Sequence, residues 1–355
     1  MGKLEEILHL ATKKNASDVH LQVGLPPMLR IQTRLFPLDS EKLSGEDTER
    51  LALSIMSEQQ KKIFRERLQF DFSYSLPGAA RFRVNVFKQR ESTAAAFRRI
   101  PFEIPTPETL GLPAAVIDLA QLKRGFVLFT GAAGQGKSTS LAALLDRINR
   151  ERAVHIITLE DPIEYVFQHR SSVVVQRELG SDMLNFADSL RATLREDPDV
   201  ILVGEMRDFH TVEAALIAAE TGHLVFATLH TQSAAQSIDR IVDVFPPHQQ
   251  PQTRIQLANV LNAVVTQQLI LRKDESGLSL AVEFLRANSA IRNLIRDAKT
   301  HQIQSVLQAG VAAGMITMEN SLKALCDRGF ITEEDALERA FDSREMARLL
   351  GHHRR

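Results

Sequence analysis

The stretch Gly131-Ala132-Ala133-Gly134-Gln135-Gly136-Lys137-Ser138 matches the pattern G-x-x-x-x-G-K-[ST]. An apolar run at residues 126–129 comes before it, and another at residues 141–145 comes after it. This order predicts a strand, a phosphate-binding loop and a helix, with backbone N–H groups of the loop around phosphate oxygens. Lys137 is expected near the β and γ phosphates and Ser138 at a Mg²⁺ ion. The sequence thus predicts a site for ATP, formed by Gly131, Ala132, Ala133, Gly134, Gln135, Gly136, Lys137, Ser138 and Thr139.

The composition is that of an ordinary globular protein, with 44% hydrophobic and 25% charged residues among 355. This length suggests two domains. The formal net charge of −1 conceals no long block of one sign, so a nucleic-acid partner is not expected. The single cysteine, Cys326, excludes an internal disulfide and a four-cysteine zinc site.

Nothing in the sequence resembles a membrane-spanning segment, because no apolar run approaches the ~18 residues that such a helix needs. The stretch Met1-Gly2-Lys3-Leu4-Glu5-Glu6 carries acids where a signal peptide would have its apolar core. We therefore expect a cytoplasmic protein that does not insert into the membrane.

Prolines mark the predicted boundary between two domains. Pro101, Pro105, Pro107 and Pro113 all fall within residues 100–113, where a regular helix or a central strand could not hold them. Residues 101–113 are therefore predicted to be a linker. Residues 1–100 show strand patterns at 18–21 and 81–87 and a helical pattern at 51–67, which predicts a small mixed α/β domain.

The region after the linker, residues 114–355, alternates apolar strands with helical segments. The strands, at residues 126–130, 154–159, 200–203 and 224–228, are unbroken apolar runs, which are typical of a parallel sheet covered on both faces. From about residue 252 the pattern becomes helical, at residues 255–271, 290–299, 302–309 and 318–328. The sequence predicts an α/β domain with a mostly parallel sheet and a helical C-terminal subdomain.

Two acids directly follow apolar strands, Glu160 after residues 156–159 and Glu205 after residues 200–204. Ligands of parallel sheets bind at the carboxyl ends of the strands, where the phosphate loop is also expected. ATP hydrolysis needs one carboxylate for the attacking water and help in holding Mg²⁺. Glu205 is assigned to the water, and Glu160 to the metal. A lone acid here would be explained as a turn or a helix cap, but two acids in register favour a catalytic function.

Two histidines, His223 and His230, flank the apolar strand at residues 224–229. Seven residues of extended chain would separate them by roughly 23 Å, so they could not share a metal. Only His230 lies at the carboxyl end, where it could hydrogen-bond the γ-phosphate. We expect a catalytic role for His230, whereas His223 is equally well explained by structural capping.

Arg81 and Arg83 project from one face of a predicted strand in the first domain, together with Asn85. Such spacing usually marks a solvated face. Hydrolysis in folds of this kind often uses an arginine from a neighbouring domain or subunit, which contributes about 10³–10⁵ in rate. Arg81 and Arg83 are therefore candidate arginine fingers.

Four motifs follow one another in a recognisable order. After the phosphate loop come Ile157-Thr158-Leu159-Glu160-Asp161-Pro162-Ile163-Glu164, then Val203-Gly204-Glu205-Met206-Arg207-Asp208, then Thr221-Gly222-His223 and Thr228-Leu229-His230-Thr231. This order resembles the Walker A, Asp, Walker B and His boxes of the secretion ATPases. More closely, the sequence resembles the PilT-type retraction ATPases of type IV pili, and the likeness covers nearly the whole chain.

The resemblance implies a homohexameric ring, in which each subunit has a PAS-like N-terminal domain and a RecA-like ATPase domain. ATP and Mg²⁺ would lie between domains, with Glu205 catalytic, Glu160 assisting at the metal, and Arg81 and Arg83 approaching the nucleotide. Hydrolysis would drive pilus retraction by removing pilin from the fibre base, which produces twitching motility. The implied partner is an inner-membrane platform protein of the pilus machinery, which would dock the ring at the cytoplasmic face of that membrane.

The segment Ala290-Ile291-Arg292-Asn293-Leu294-Ile295-Arg296 matches a motif that the retraction ATPases need for retraction. As a pattern alone it predicts an amphipathic helix, with Ile291, Leu294 and Ile295 on its apolar face and the polar residues outside. The resemblance implies that this helix couples hydrolysis to mechanical work.

Related functions form the alternatives, namely a PilU-like accessory retraction ATPase and a conjugation or secretion ATPase. Assembly and type II secretion relatives carry a tetracysteine zinc insertion, which a single cysteine excludes. A nucleotide-gated binding module with little turnover belongs to a different class, and Glu205, Glu160 and His230 argue against it. The match at residues 290–296 favours retraction.

Overall fold

The computed structural model describes residues 3–31, 34–76, 79–100 and 103–351. The chain forms two compact units, the first made of Met1–Glu103 and Pro162–Val166 and the second of Ile104–Asp161 and Phe167–Arg355. Residues 101 and 102 of the predicted linker lie outside the described residues. Its remaining part, residues 103–113, contains turns and neither helix nor strand.

The first unit is built on a six-stranded antiparallel sheet. Its strands are β1 (Asp18–Leu21), β2 (Met28–Ile31), β3 (Arg34–Pro37), β4 (Gln69–Leu76), β5 (Ala80–Gln89) and β6 (Ser92–Ile100). Their spatial order is β3-β2-β1-β6-β5-β4. Helices α1 (Lys3–Lys13), α2 (Gly45–Leu53) and α3 (Glu58–Arg67) complete the unit. The strands predicted at residues 18–21 and 81–87 are confirmed.

The single helix predicted at residues 51–67 is wrong, because α2 ends at Leu53 and α3 begins at Glu58. Ser57 caps α3 in a reciprocal capping box. Its hydroxyl accepts a hydrogen bond from the N–H of Gln60, whose side-chain carbonyl accepts one from the N–H of Ser57. Ile55 and Met56 are apolar and continue the helical spacing through the turn, so the sequence pattern does not reveal that the helix is interrupted between α2 and α3.

The second unit contains a seven-stranded sheet. Its strands are β7 (Gly125–Thr130), β8 (His155–Glu160), β9 (Val173–Glu178), β10 (Val200–Val203), β11 (Leu224–Leu229), β12 (Leu261–Leu271) and β13 (Leu278–Arg286). In the order β13-β12-β7-β11-β10-β8-β9, only the β13–β12 pair is antiparallel among the described residues. The four predicted strands and the α/β class with a mostly parallel sheet are confirmed.

Helices cover both faces of this sheet, which explains why β7, β10 and β11 are buried along their whole length. No helix among the described residues is long and apolar enough to cross a membrane.

The second unit also contains short 3₁₀ helices, at Asp118–Gln121, Thr300–Gln302 and Gly310–Ala313. The α-helices are α4 (Ala114–Ile117), α5 (Lys137–Glu151), α6 (Phe186–Thr193), α7 (Phe209–Glu220), α8 (Ala234–Asp243), α9 (Gln250–Val260), α10 (Ser289–Arg296), α11 (Ile303–Ala309), α12 (Met318–Asp327), α13 (Glu333–Arg339) and α14 (Ser343–Leu349).

The continuous helix predicted at residues 255–271 is wrong, because α9 ends at Val260 and β12 then runs beside β7. Residues 264–266, Val-Val-Thr, are β-branched and favour a strand. Spacing alone does not distinguish a short buried helix from a buried strand. The helical C-terminal region therefore starts at α10 rather than at about residue 252, and α10, α11 and α12 confirm the helices predicted there.

Candidate active site

The predicted site residues of the second unit gather at one edge of its sheet. Thr130 of β7 pairs with Leu229 of β11, and Val203 of β10 pairs with both Leu159 of β8 and Ala227 of β11. The carboxyl ends of these parallel strands are therefore aligned. The groups that end or follow them lie along this edge, namely the loop at residues 131–136, Glu160, Glu205 and His230.

The loop after β7 depends on a glycine at its first position. Gly131 has φ of +137°, and a Cβ at this position would lie 2.6 Å from the carbonyl oxygen of Gln267. At its end, Gly136 caps α5 in the left-handed conformation. The loop thus leads into the N-terminus of α5, where N–H groups lack helical partners and the helix dipole is positive. Such a cradle fits the phosphate groups of a nucleotide.

Lys137 and Ser138 are the first two residues of α5. The Nζ of Lys137 donates hydrogen bonds to the carbonyl oxygens of Gly131, at 2.7 Å, and Ala132, at 2.8 Å. These bonds fold the side chain back over the loop, and only 8% of the residue is exposed. The positive charge is therefore placed beside the phosphate cradle.

Two glutamine side chains connect the phosphate loop and its helix to β12. Gln135 Oε1 accepts a hydrogen bond of 2.6 Å from the N–H of Leu269 in β12. The pairing of β12 with β7 ends before this residue, at Thr266. Gln267 Nε2 donates a hydrogen bond of 2.7 Å to the hydroxyl of Ser140 in α5. The strand that sequence analysis assigned to a helix therefore supports the loop directly.

Glu205 follows Gly204, a position at which the neighbouring backbone leaves no room for a side chain. A Cβ on Gly204 would lie 2.9 Å from the carbonyl oxygen of Leu159 and 3.1 Å from the Cα of Glu160. The N–H of Gly204 donates to that same carbonyl of Leu159 at 2.7 Å. From the opposite side, the hydroxyl of Thr228 donates to the carbonyl of Gly204 at 2.5 Å. Strands β8 and β11 thus hold the backbone next to Glu205 from both sides.

Two basic side chains converge on one oxygen of Glu205. Arg207 Nε lies 2.5 Å and His230 Nε2 lies 3.1 Å from Glu205 Oε1. Burial disfavours the carboxylate, but the hydrogen bond from Arg207 and the charges of Arg207 and His230 outweigh it, so the pKa of Glu205 lies below its usual 4.5. Glu205 is therefore ionised at neutral pH and can accept a proton.

Arg207 was not among the predicted site residues, although its partner Glu205 lies only two residues earlier. The side chain of Arg207 is 74% exposed, so it reaches the carboxylate from the solvent side. The signal that could have identified it is this spacing, since residues i and i+2 share a face where the backbone is not helical.

Glu160 ends β8 and is 9% exposed. Its Oε1 accepts hydrogen bonds from the hydroxyl of Thr158, at 2.6 Å, and from Gln176 Nε2 on the neighbouring β9, at 3.0 Å. No group of three or more His, Cys, Asp or Glu side chains that could hold a metal exists in the part of the chain that is described. This donor set fits Mg²⁺, which usually takes one or two protein ligands together with phosphate oxygens and water.

His223 lies at the opposite end of β11 from His230. Its Nδ1 is 2.9 Å from the carbonyl oxygen of Ala218 and 3.1 Å from the hydroxyl of Thr221. These contacts close the turn after α7 and favour the capping explanation for His223.

Arg81 and Arg83 belong to the first unit, where β5 alternates them with the buried Phe82 and Val84. Arg81 donates a hydrogen bond of 3.2 Å to the hydroxyl of Ser75. Arg83 is exposed and lines a cleft of about 320 Å³ together with Arg98, Arg99, Ile100, Pro162, Ile163, Glu164 and Tyr165. Three arginines around one cleft suit an anionic group, and the catalytic role of Arg81 and Arg83 stays a prediction.

The motif at residues 290–296 forms α10 with its preceding cap Asn288. Ile291 and Ile295 are fully buried in the core that α10 shares with the sheet, and Leu294 packs against it while partly buried. This apolar face agrees with the predicted amphipathic helix.

One polar residue of α10 does not lie outside as predicted. Arg292 is half-buried and donates hydrogen bonds to the carbonyl oxygens of Ala258 and Asn259 at the end of α9. Burial and the neighbouring Arg296 lower the pKa of Arg292. Its positive charge complements the negative end of the α9 dipole, so α10 is attached to α9 through polar contacts as well as through the core.

Comparison with known proteins adds evidence along the whole chain. A model of the family described as "Type II/IV secretion system protein" matches residues 2–325. The type IV pilus retraction ATPase PilT of Pseudomonas aeruginosa PAO1 is 46% identical over 337 residues, which cover 95% of this chain and 98% of the relative. The type IV pilus ATPase PilU of the same strain is 40% identical over 348 residues, covering 98% and 91% respectively.

A solved structure gives a similar result. The crystal structure of the pilus retraction motor PilT with bound ADP is 50% identical in sequence and superposes with a TM-score of 0.90. The match covers 98% of this chain and 100% of that one. The similarity therefore includes both units.

Proposed function

The chain belongs to the type II/IV secretion system protein family, and from this premise we propose that it is an ATPase that powers retraction of a type IV pilus. The observation that carries the proposal is an ionised Glu205 at the same sheet edge as the phosphate loop, in a chain similar to PilT over nearly its whole length. The working form would be a hexameric cytoplasmic ring, docked on an inner-membrane platform protein. Its hydrolysis would remove pilin from the fibre base and so produce twitching motility.

The phosphates of ATP would lie in the cradle of residues 131–136 at the N-terminus of α5. The N–H groups of the loop and of Lys137, Ser138 and Thr139 would bind phosphate oxygens, because they lie at the end of α5 where the helix dipole is positive and N–H groups point outward. The ammonium of Lys137 would turn from the carbonyls of Gly131 and Ala132 to the β and γ phosphates. Bound ADP in the related PilT structure supports this assignment.

Glu205 would orient the attacking water and accept its proton. The carboxylate is ionised at neutral pH, as this role requires, and it lies at the same sheet edge as the phosphate loop. Arg207 occupies one oxygen of Glu205, and its exposed side chain has room to move away when water and nucleotide enter. His230, which contacts the same oxygen, would hydrogen-bond the γ-phosphate. Its contact with Glu205 would then depend on whether the γ-phosphate is bound.

Mg²⁺, when bound, would neutralise charge on the phosphate oxygens. The hydroxyl of Ser138 and the carboxylate of Glu160 would hold it. Thr158 and Gln176 fix the orientation of Glu160 by hydrogen bonds, so this side chain needs little reorganisation to act.

Arg81 and Arg83 would stabilise the charge that develops on the phosphates. Their support is the outward face of β5 and the arginine-lined cleft beside Arg83. If the arginine acts across a subunit boundary, rings mixed from Arg81→Ala and Glu205→Gln subunits should hydrolyse ATP faster than either variant alone. Purely additive rates in confirmed mixed rings would exclude such trans action.

The similarity to PilU makes an accessory retraction ATPase the second candidate. The two candidates differ in what their loss does to retraction. Deletion of the gene for a primary retraction motor should leave cells with more surface pili and no twitching. Deletion of an accessory motor should leave twitching under low load, and loss of all pili would contradict both candidates in favour of an assembly motor.

We expect Leu294→Ala to abolish retraction while ATP turnover by the purified protein stays within about a few-fold of wild type. Leu294 is partly buried and packs against the apolar core that α10 shares with the sheet, so its role would be to transmit domain motion. Turnover and pilus retraction are measured on the same variant.

The matched control is Leu278→Ala, which removes an exposed leucine of β13 from the same unit. Leu294 is a better choice than the fully buried Ile291, because a buried truncation costs about 2–5 kcal/mol of stability. Normal twitching in a folded, ring-forming Leu294→Ala variant would show that α10 is not the coupling element.

A further inference from the structure

Glu283 is a buried acid that the nucleotide chemistry does not use. It lies on β13, opposite Thr266 of β12, and only 1% of it is exposed. Its Oε1 accepts a hydrogen bond of 2.8 Å from the N–H of Ala234, the first residue of α8. Glu283 therefore anchors the start of the helix that follows His230.

A second buried acid, Glu319, approaches from the C-terminal helices. It lies in the first turn of α12 and is also 1% exposed. Its Oε1 accepts hydrogen bonds from the N–H groups of Phe341, at 3.0 Å, and Asp342, at 2.9 Å. Glu319 thus anchors the chain between α13 and α14.

The other oxygen of each acid, Oε2, is buried without a hydrogen-bond partner among the described residues. The negative charge of Glu319 acts on Glu283 and raises its pKa. No basic side chain of the described ranges forms an ion pair with either, and β12 carries no charged residue. The remaining charged groups on α8, α12 and β13 are half-buried or exposed, namely Asp239, Arg240, Asp243, Lys323, Asp327 and Arg286.

We propose that Glu283 and Glu319 form a buried acid pair that holds a single proton, carried by the Oε2 of Glu283. This proton would leave one negative charge on the pair in place of two. A bridging cation is disfavoured, because no third acid, histidine or cysteine completes a metal-binding group in the described part of the chain. The pair joins the first turn of α8 to the C-terminal helices.

This joint is connected to the edge of the sheet that carries the phosphate loop. Thr266, opposite Glu283, shares a hydrogen bond of 2.9 Å with Thr130, the residue before the loop. At the start of α8, the buried hydroxyls of Thr231 and Ser237 share a hydrogen bond of 2.7 Å, directly after His230. The acid pair is thus a positioning device for the elements around the site, and its ionisation can be tested without reference to ATP.

The joint should weaken as pH rises. Burial and the charge of Glu319 raise the pKa of Glu283 from 4.5 to about 7, against the opposing hydrogen bond from Ala234. Between these two pH values the folded state binds more protons than the unfolded state, so the contribution of Glu283 to stability decreases with rising pH. Above pH 7 the pair would carry two negative charges in a buried place, and its proton would have passed to solvent.

The test compares wild type with Glu283→Gln, whose amide keeps the acceptor for Ala234 and replaces the titrating proton with a permanent donor. Relative to this variant, wild type should lose thermal stability between about pH 5 and about pH 8. In the same range, amide exchange at residues 234, 341 and 342 should become faster in wild type than in the variant. A protonated carboxyl band should be present in the infrared spectrum of wild type near pH 6 and absent from Glu283→Gln. The control, Glu334→Gln on the exposed face of α13, should behave as wild type.

Glu319→Gln provides an independent test if Glu283→Gln does not fold. Removing the charge of Glu319 should shift the titration of the carboxyl band to lower pH. The proposal is overturned if wild type lacks a protonated carboxyl near pH 6, or if its titration is unchanged in whichever variant folds. Stabilisation of wild type by Mg²⁺, Ca²⁺ or Zn²⁺ that both variants lose would also overturn it, since a cation would then bridge the acids.

Discussion

Glu205→Gln is expected to lower ATP turnover by about 10²–10⁴-fold, the range for loss of a general base, while ATP binding is preserved. Glutamine keeps the shape of the side chain and cannot accept the proton of the attacking water. The variant should fold normally, because β8 and β11 hold the backbone next to Glu205 through Gly204, and the carboxylate is not needed for this.

The measurement is steady-state phosphate release together with the affinity for ATP. Glu338→Gln, an exposed acid of α13, is the matched control and should match wild type in both. Turnover close to wild type in Glu205→Gln would remove Glu205 from the catalytic role and direct attention to Glu160.

Lys137→Ala is expected to weaken nucleotide binding itself, by about 10–100-fold, which corresponds to the loss of charge-assisted hydrogen bonds. The lost charge faces the phosphates in the ground state as well as in the transition state, so affinity and turnover should both fall. The variant also loses the hydrogen bonds from Lys137 to the carbonyls of Gly131 and Ala132, which connect the side chain to the loop.

Titration of a fluorescent ATP analogue measures this effect, and Lys123→Ala, an exposed lysine just before β7, is the control. Wild-type affinity in a folded Lys137→Ala protein would mean that residues 131–138 do not bind the triphosphate.

The features that sequence predicted well are those set by local pattern. The strand–loop–helix around Lys137 needs only two apolar runs and correctly spaced glycines. The alignment of Glu160, Glu205 and His230 follows from parallel strands, because their carboxyl ends share one edge. Each of these strands is buried on both faces, so its apolar run was unbroken and easy to identify.

The features that were missed depend on partners distant in sequence. β12 becomes a strand because β7 and β13 offer it hydrogen bonds on both sides, which spacing within residues 255–271 does not reveal. Arg292 is half-buried because the end of α9 provides carbonyl acceptors for it. Glu283 and Glu319 lie 36 positions apart, and only the folded chain brings both into one buried region.

The role of Arg207 could not be predicted from the sequence for a different reason. Its position two residues after Glu205 was visible in the sequence, but the same pattern fits a solvated turn. The contact of 2.5 Å with the carboxylate shows that Arg207 is the partner that lowers the pKa of Glu205. Only the positions of the two side chains in the folded protein distinguish an ion pair from a solvated turn.

We propose that this edge of the sheet is a hydrolytic ATP site rather than a binding switch. Phosphate release by the purified chain, followed with excess ATP and Mg²⁺ over many equivalents per chain, distinguishes the two. A hydrolytic site should give sustained release that continues well beyond one phosphate per chain and is lost in Glu205→Gln. Tight ATP binding with no release beyond the first equivalent would contradict it and identify a nucleotide-gated module instead.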